Sequence, residues 1–191
     1  MNYIVYDLLL ATNPEWWRPP NPELFNSWLK SICAVGDNLI CISNAVADEM
    51  KSWLERNPIT RLRGAPNIQS FHLGADIENS KPSLGLPDET QSVLAALEQR
   101  PTFLMVGTLE PRKGHAQTLA AFEILWEADN EINLVIVGKP GWMVENVVKK
   151  IRTNPELNQR LFWLEGISDE YLEKLYAAST CLIAASYGEG F

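Results

Sequence analysis

From about residue 100 onward the chain alternates short apolar runs with segments whose apolar residues recur every three to four positions. The runs are Thr102 to Val106, Leu134 to Val137, Leu161 to Leu164 and Cys181 to Ala184. Each is short and apolar throughout, as expected of a strand buried on both faces. Between them, a segment beginning near His115 lines up Leu119, Phe122 and Trp126, with Glu123 and Glu127 outside the stripe. Another follows Ser168, a capping residue, with Asp169 and Glu170 in the first turn, where the helix dipole favours carboxylates. Its stripe is Leu172, Leu175 and Tyr176. A third begins about Asp88, after Pro87, and carries Val93, Leu94 and Leu97. Such alternation predicts βαβ units and a parallel sheet, an α/β fold.

The first half is more broken. It reads as a strand near Tyr3 to Leu8, a loop rich in Pro and Trp, and a helix carrying Leu24, Trp28, Leu29 and Ile32. A strand at Leu39 to Ile42 follows, then a helix after Ser43 with Val46, Met50, Trp53 and Leu54 inward. Between Asn57 and Pro87 lie Pro58, Gly64, Pro66, Gly74, Pro82, Gly85 and Pro87 around one short strand, Ile68 to Leu73. That density of breakers marks a hinge or domain boundary. The expected division is 1–63, 64–87 and 88–191.

Composition narrows the possible partners. The 191 residues are 46% hydrophobic and 21% charged, with a formal net charge of −8. A surplus of acid argues against a nucleic-acid-wrapping protein, so any bound anion needs a local basic spot. Cys33, Cys41 and Cys181 are odd in number, far apart and set in apolar runs, which fits reduced core thiols of a cytoplasmic protein. With only His72 and His115 besides, a metal centre is not expected. The opening MNYIVYDLLLATNPEWW has no basic flank and carries Asp7 in its apolar stretch, unlike a signal peptide. No apolar run approaches the ~20 residues of a membrane span. Trp16, Trp17 and Arg18 read either as a peripheral membrane contact or as a loop anchored on the core.

The strand ends carry the candidate chemistry. Val106 runs into Gly107, Val137 into Gly138, Leu164 through Glu165 into Gly166, and the fourth strand into Ser186-Tyr187-Gly188. Ligands of open α/β sheets settle outside the carboxyl ends of the strands, where glycine admits them to the backbone. The first loop, VGTLEPRKGH, places Arg112 and Lys113 just before a helix, a favourable place for an anion. It has neither the Walker spacing nor GxGxxG, and alone it reads equally as a solvated turn. His115 reads as a helix-start residue rather than a general base, and His72 as a strand residue near the hinge. Trp142 either shields the adjacent glycine loop or staples the following helix.

Taken together, four segments resemble family 4 retaining glycosyltransferases of GT-B architecture. VGTLEPRKG resembles that family's diphosphate loop, LVIVGKPGW its second glycine loop, LFWLEGISDEYLEKLYAAS the strand and helix flanking the nucleotide base, and ASYGEGF the opening of its glutamate motif. VYDLLLATNPEWW, LICISNAVADEM and HLGAD extend the resemblance into the first half.

The resemblance implies a Rossmann-like doubly wound donor domain at 88–191, and part of a second Rossmann-like, acceptor-side domain at 1–63, joined by a crossover at 64–87. It implies transfer of a hexose such as mannose from a nucleotide diphosphate sugar to a saccharide or lipid-linked acceptor. The setting would be bacterial surface polysaccharide assembly at the inner face of the membrane, without metal or other cofactor. Lys113 and Arg112 would stabilise the leaving diphosphate and Glu189 would hold the donor sugar, these three forming the catalytic set. Gly107, Thr108, Gly138, Lys139, Ile167, Gly188, Gly190 and Phe191 would complete the donor site, and Asp7 would lie on the acceptor side. Thr108 stands where many members carry arginine, and Tyr6 where a histidine often precedes the aspartate. The family's ribose-binding glutamate would lie beyond Phe191, so the sequence reads as a fragment, inactive by itself. A non-catalytic nucleotide-sugar binding or subunit module and a nucleotide-sugar epimerase are the alternative readings.

Overall fold

A computed structural model describes residues 1–74 and 81–190. Asp76 and Phe191, and part of the expected crossover, lie outside the described residues. The chain divides into two compact units, Met1–Ile77 with Gly188–Phe191, and Glu78–Tyr187.

The first unit contains β1 (Asn2–Val5), α1 (Leu9–Thr12), α2 (Asn21–Val35), β2 (Asn38–Cys41), α3 (Asn44–Arg56) and β3 (Asn67–Ser70). Its strands are parallel in the order β1-β2-β3, with Val5 opposite Cys41 and Cys41 opposite Ser70. α3 starts where the Ser43 hydroxyl accepts the Val46 N–H at 3.2 Å, and it buries Val46, Met50 and Trp53. These meet Val5, Leu8, Leu29, Ile32, Cys33, Leu39 and Cys41 in one core. Burial pushes the Cys33 and Cys41 thiols up to about 11, so both stay protonated and unreactive.

Three expectations shift here. The β1 strand stops at Val5 because the Leu8 carbonyl accepts the N–H groups of Ala11 and Thr12, starting α1. On α2 the inward line runs through Phe25, Leu29 and Ile32, which turns Leu24 and Trp28 outward. β3 ends at Ser70, leaving His72 exposed beyond it.

The second unit contains α4 (Thr90–Glu98), β4 (Thr102–Val106), α5 (His115–Glu127), β5 (Asn133–Val137), α6 (Glu145–Arg152), β6 (Leu161–Leu164), α7 (Asp169–Ala178) and β7 (Cys181–Leu182). All its strand pairs are parallel, in the order β6-β5-β4-β7. Successive residues of β5 point to opposite faces. Leu134 and Ile136 pack with Leu119, Phe122 and Trp126 of α5 and Ile151 of α6, whereas Val135 and Val137 pack with Leu97 of α4 and Tyr171 and Leu175 of α7. Helices thus cover both faces, and the expected doubly wound α/β sheet is present.

Two details differ from the sequence reading. The inward line of α7 runs through Tyr171 and Leu175, so Tyr176 is exposed; the helix is registered by Ser168, whose hydroxyl accepts the Tyr171 N–H at 3.1 Å. Regular pairing of β7 stops at Leu182, and Cys181 is exposed rather than a core thiol. No described helix is long and apolar enough to cross a membrane.

At the amino ends of the strands a buried polar knot replaces apolar contact. Asn133 donates to Thr102 Oγ1 at 3.1 Å and to the Ala96 carbonyl at 3.3 Å, while Thr102 Oγ1 donates to the Leu97 carbonyl at 3.0 Å. These bonds tie the end of α4 to the starts of β4 and β5.

An aromatic chain holds α5 on the sheet: Phe103 to Phe122 at 5.5 Å and Phe122 to Trp126 at 5.6 Å between centroids, both edge-on. Phe122→Ala removes the middle ring and leaves a cavity, so it should destabilise the protein by about 3–5 kcal/mol, read as a lowered denaturation midpoint.

His115, at the start of α5, is buried, and neither ring nitrogen meets a hydrogen-bond partner among the described residues. Desolvation, with the Lys113 charge adding to it, lowers its pKa from 6.5 to about 4. Between those values the unfolded chain holds the extra proton, so stability that is full above the higher value is lost as pH falls through the window. The denaturation midpoint should fall between about pH 7 and pH 4.5, by up to about 3 kcal/mol from this residue. His115→Leu should remove that part of the pH dependence.

Candidate functional site

The carboxyl ends of parallel strands share one edge of the sheet. In the second unit the strand order reverses at β4, which has β5 on one side and β7 on the other. The connection from β4 to β5 uses α5 on one face, and that from β6 to β7 uses α7 on the opposite face. Such a switch point leaves room for a ligand outside the strand ends.

Backbone fills most of this edge. The ladder continues one residue past each strand, with Gly107 N–H on the Val137 carbonyl at 2.9 Å and Gly138 N–H on the Leu164 carbonyl at 3.0 Å. A Cβ on Gly138 would lie 2.0 Å from the Gly107 carbonyl oxygen, so no other residue fits without moving the loop. Beyond the glycines, Leu109 N–H donates to the Lys139 carbonyl and Gly141 N–H to the Leu109 carbonyl, both at 2.9 Å. Leu109 itself is wholly buried and anchors the loop after β4. The Trp163 indole N–H donates to the Gly138 carbonyl at 2.9 Å and orients the loop after β5.

The loop then makes a 3-10 turn, Pro111–Lys113. Arg112 Nε lies 3.0 Å from Glu110 Oε2, and both side chains are largely buried. Lys113 follows in the same turn, half-buried. Gly114 enters α5 with φ +78° and, as glycine, offers no side-chain cap, whereas Ser43 and Ser168 cap α3 and α7. The first-turn N–H groups of α5 and the positive end of its dipole therefore adjoin Lys113, an arrangement suited to a phosphate or similar anion.

The segment after β7 crosses this helix start. Tyr187 N–H donates to the Arg112 carbonyl at 2.8 Å, and Gln117 bridges the Ala185 carbonyl and the Tyr187 hydroxyl at 3.0 and 2.7 Å. A Cβ on Gly114 would meet the Ala185 oxygen at 2.3 Å.

The expected donor residues are distributed as follows. Gly107, Thr108, Arg112, Lys113, Gly138 and Lys139 share the loops after β4 and β5, and Thr108 Cγ2 would lie 3.1 Å from a Cβ on Gly141. Ile167 follows β6 beyond Gly166, over which the aliphatic arm of Lys139 folds. Gly188, Glu189 and Gly190 belong to the first unit, as does Asp7. There Trp16 and Leu9 crowd Gly188, and a Cβ on Gly190 would lie 2.6 Å from the Tyr6 carbonyl oxygen and 2.9 Å from Asp7 Cβ. The Ser43 hydroxyl donates to the Gly190 carbonyl at 3.2 Å, and Asp7 Oδ1 accepts the Leu9 N–H at 3.0 Å. Glu189 is exposed. Among the described residues, no three His, Cys, Asp or Glu side chains gather in a group that could hold a metal ion.

Glu110, Gln117, Tyr187, Trp163 and Ser43 were not among the expected site residues. The spacing of Glu110 to Arg112 is a local signal that could have been read. The other contacts join residues far apart in sequence.

Residues 88–191 match the family described as Glycosyl transferases group 1. A serotype-specific mannosyltransferase, WbdA, of Escherichia coli is 49% identical over 193 residues, covering 99% of this chain and 23% of that protein. The chain thus spans about a quarter of the length of the curated relatives it matches. Among solved structures, one from E. coli described as trehalose-6-phosphate bound with UDP-2-fluoro glucose aligns with a TM-score of 0.66 at 15% identity, over 100% of this chain and 48% of that one. The α,α-trehalose 6-phosphate synthase of Burkholderia multivorans aligns with a TM-score of 0.63 at 14% identity, over 92% of this chain and 45% of its own. The parallel sheets and these neighbours establish the GT-B type of fold, and by its family match the chain belongs to the glycosyl transferases group 1.

Proposed function

We propose that the protein carrying this chain is a family 4 retaining glycosyltransferase that moves mannose from a nucleotide diphosphate sugar to a saccharide or lipid-linked acceptor. The observation that carries this reading is the glycine-led start of α5, with Lys113 in the turn before it, at the switch point of the sheet. The 49% identity to a serotype-specific mannosyltransferase supports mannose as the sugar and a bacterial surface polysaccharide as the product. The setting is the cytoplasmic side of the inner membrane.

In this reading residues 1–63 belong to an acceptor-side domain, 64–87 cross over, and 88–191 belong to the donor domain. Departure of the diphosphate builds negative charge, and fixed cations and N–H dipoles aimed at it lower the barrier without reorganising. Lys113 supplies the principal charge, where other transferases use a divalent metal. Arg112 contributes less, because the Glu110 carboxylate beside it offsets part of its field. Gly107, Thr108, Gly138 and Lys139 line the diphosphate by backbone approach, and Ile167 flanks the base. Glu189 holds the donor sugar, the Gly190 N–H faces sugar or diphosphate, Gly188 completes the donor site, and Asp7 serves the acceptor.

In the full-length protein, Lys113→Ala should weaken binding of the matching nucleoside diphosphate and lower turnover, each about ten- to a hundredfold, as for loss of a charge-assisted contact. Calorimetry with GDP, UDP and ADP, alongside sugar transfer, checks both. Values within twofold of wild type would refute the diphosphate role, and a product of inverted anomeric configuration would refute retention.

A further inference from the structure

We infer that Gln117 and Tyr187 form a positioning pair that fixes the entry to the glutamate segment against the diphosphate turn; this rests on the donor-site reading above. Three successive points of the turn and of α5 hold the chain after β7. The Arg112 carbonyl accepts the Tyr187 N–H, Gly114 lets the Ala185 carbonyl approach the helix start, and Gln117 takes both Ala185 and the Tyr187 hydroxyl.

Gln117 uses both ends of its amide. Its Nε2 donates to the Ala185 carbonyl at 3.0 Å while its Oε1 accepts the Tyr187 hydroxyl proton at 2.7 Å. Glutamate would keep only the acceptor, and leucine neither function. Both residues are exposed, so their bonds are not needed to satisfy buried atoms. What they do is remove freedom from residues 185–187, at a place where β7 has already ceased regular pairing. Gly188 and Glu189 follow directly in sequence, so residues 185–187 are the stretch through which the chain enters the proposed sugar-holding segment. Displacement of a reacting group by about 1 Å can cost a hundredfold in rate, which gives such a tether a catalytic consequence.

The test uses the full-length enzyme. Gln117→Leu should lower kcat about tenfold while the donor KM changes less than threefold, because the diphosphate contact at Lys113 is untouched. Tyr187→Phe should act in the same direction. The double variant should be no worse than the poorer single one, since both lose one shared bond. Gln117→Glu, which keeps the acceptor for Tyr187, should recover part of kcat. A merely structural role would instead lower the melting temperature and the active fraction, with kcat per active site unchanged.

The inference is overturned if kcat of Gln117→Leu per active site stays within twofold of wild type, or if the two single effects multiply. Should Lys113→Ala be impaired while Gln117→Leu is not, the donor-site reading stands and only the pair falls. If neither is impaired, both fall.

Discussion

The site edge of the second unit depends on backbone touching backbone. At Gly138 an added methyl would stand 2.0 Å from the Gly107 carbonyl oxygen, and at Gly114 one would stand 2.3 Å from that of Ala185. These two approaches bring the loops after β4, β5 and β7 together without intervening side chains. The start of α5, with Lys113 beside it, is what such an edge presents, which is why a phosphate is the chemistry it suits. The opposite edge is built on another principle. There Thr102 and Asn133 knot α4, β4 and β5 with buried hydrogen bonds, and their role is to hold register. The polar knot and the candidate ligand edge thus occupy opposite ends of the same strands.

The parts of this arrangement that the sequence disclosed are those with one-dimensional signatures. β4, β5 and β6 are covered on both faces and so, after the polar first residues Thr102 and Asn133, read as short apolar runs. Leu119, Phe122 and Trp126 keep a single helical phase, and the Ser43 and Ser168 caps mark helix starts locally. The phases of α2 and α7 were harder, because each has apolar residues on two adjacent lines: Leu24 and Trp28 beside Phe25 and Leu29, Tyr176 beside Leu175. Only the partner surface decides which line turns inward. Cys181 failed for a related reason, since its run has the composition of a core strand but lies at the end of the described sheet order.

The candidate site divides in the same way. Gly107 and Gly138 are legible because a strand running into glycine marks a close approach of backbone, and Lys113 because it precedes a helix. The bonds of Trp163 to Gly138, and of Gln117 to Ala185 and Tyr187, link residues 25 to 70 positions apart and leave no periodic trace. The structural neighbours make the same point from outside. At 15% identity the fold is still shared with a solved neighbour, so the fold tolerates wide change in the side chains.

The Glu110–Arg112 pair has a consequence for the end of a catalytic cycle. With Glu110 counted, the turn carries one formal positive charge rather than two, and in the proposed reading that is the charge a diphosphate would meet. An enzyme of this kind must discharge a nucleoside diphosphate after every transfer, and escape of product commonly limits turnover. In the reading proposed above, a carboxylate placed among the cations would weaken the grip on the departing nucleotide while leaving Lys113 in position, and so favour release over retention of a spent donor.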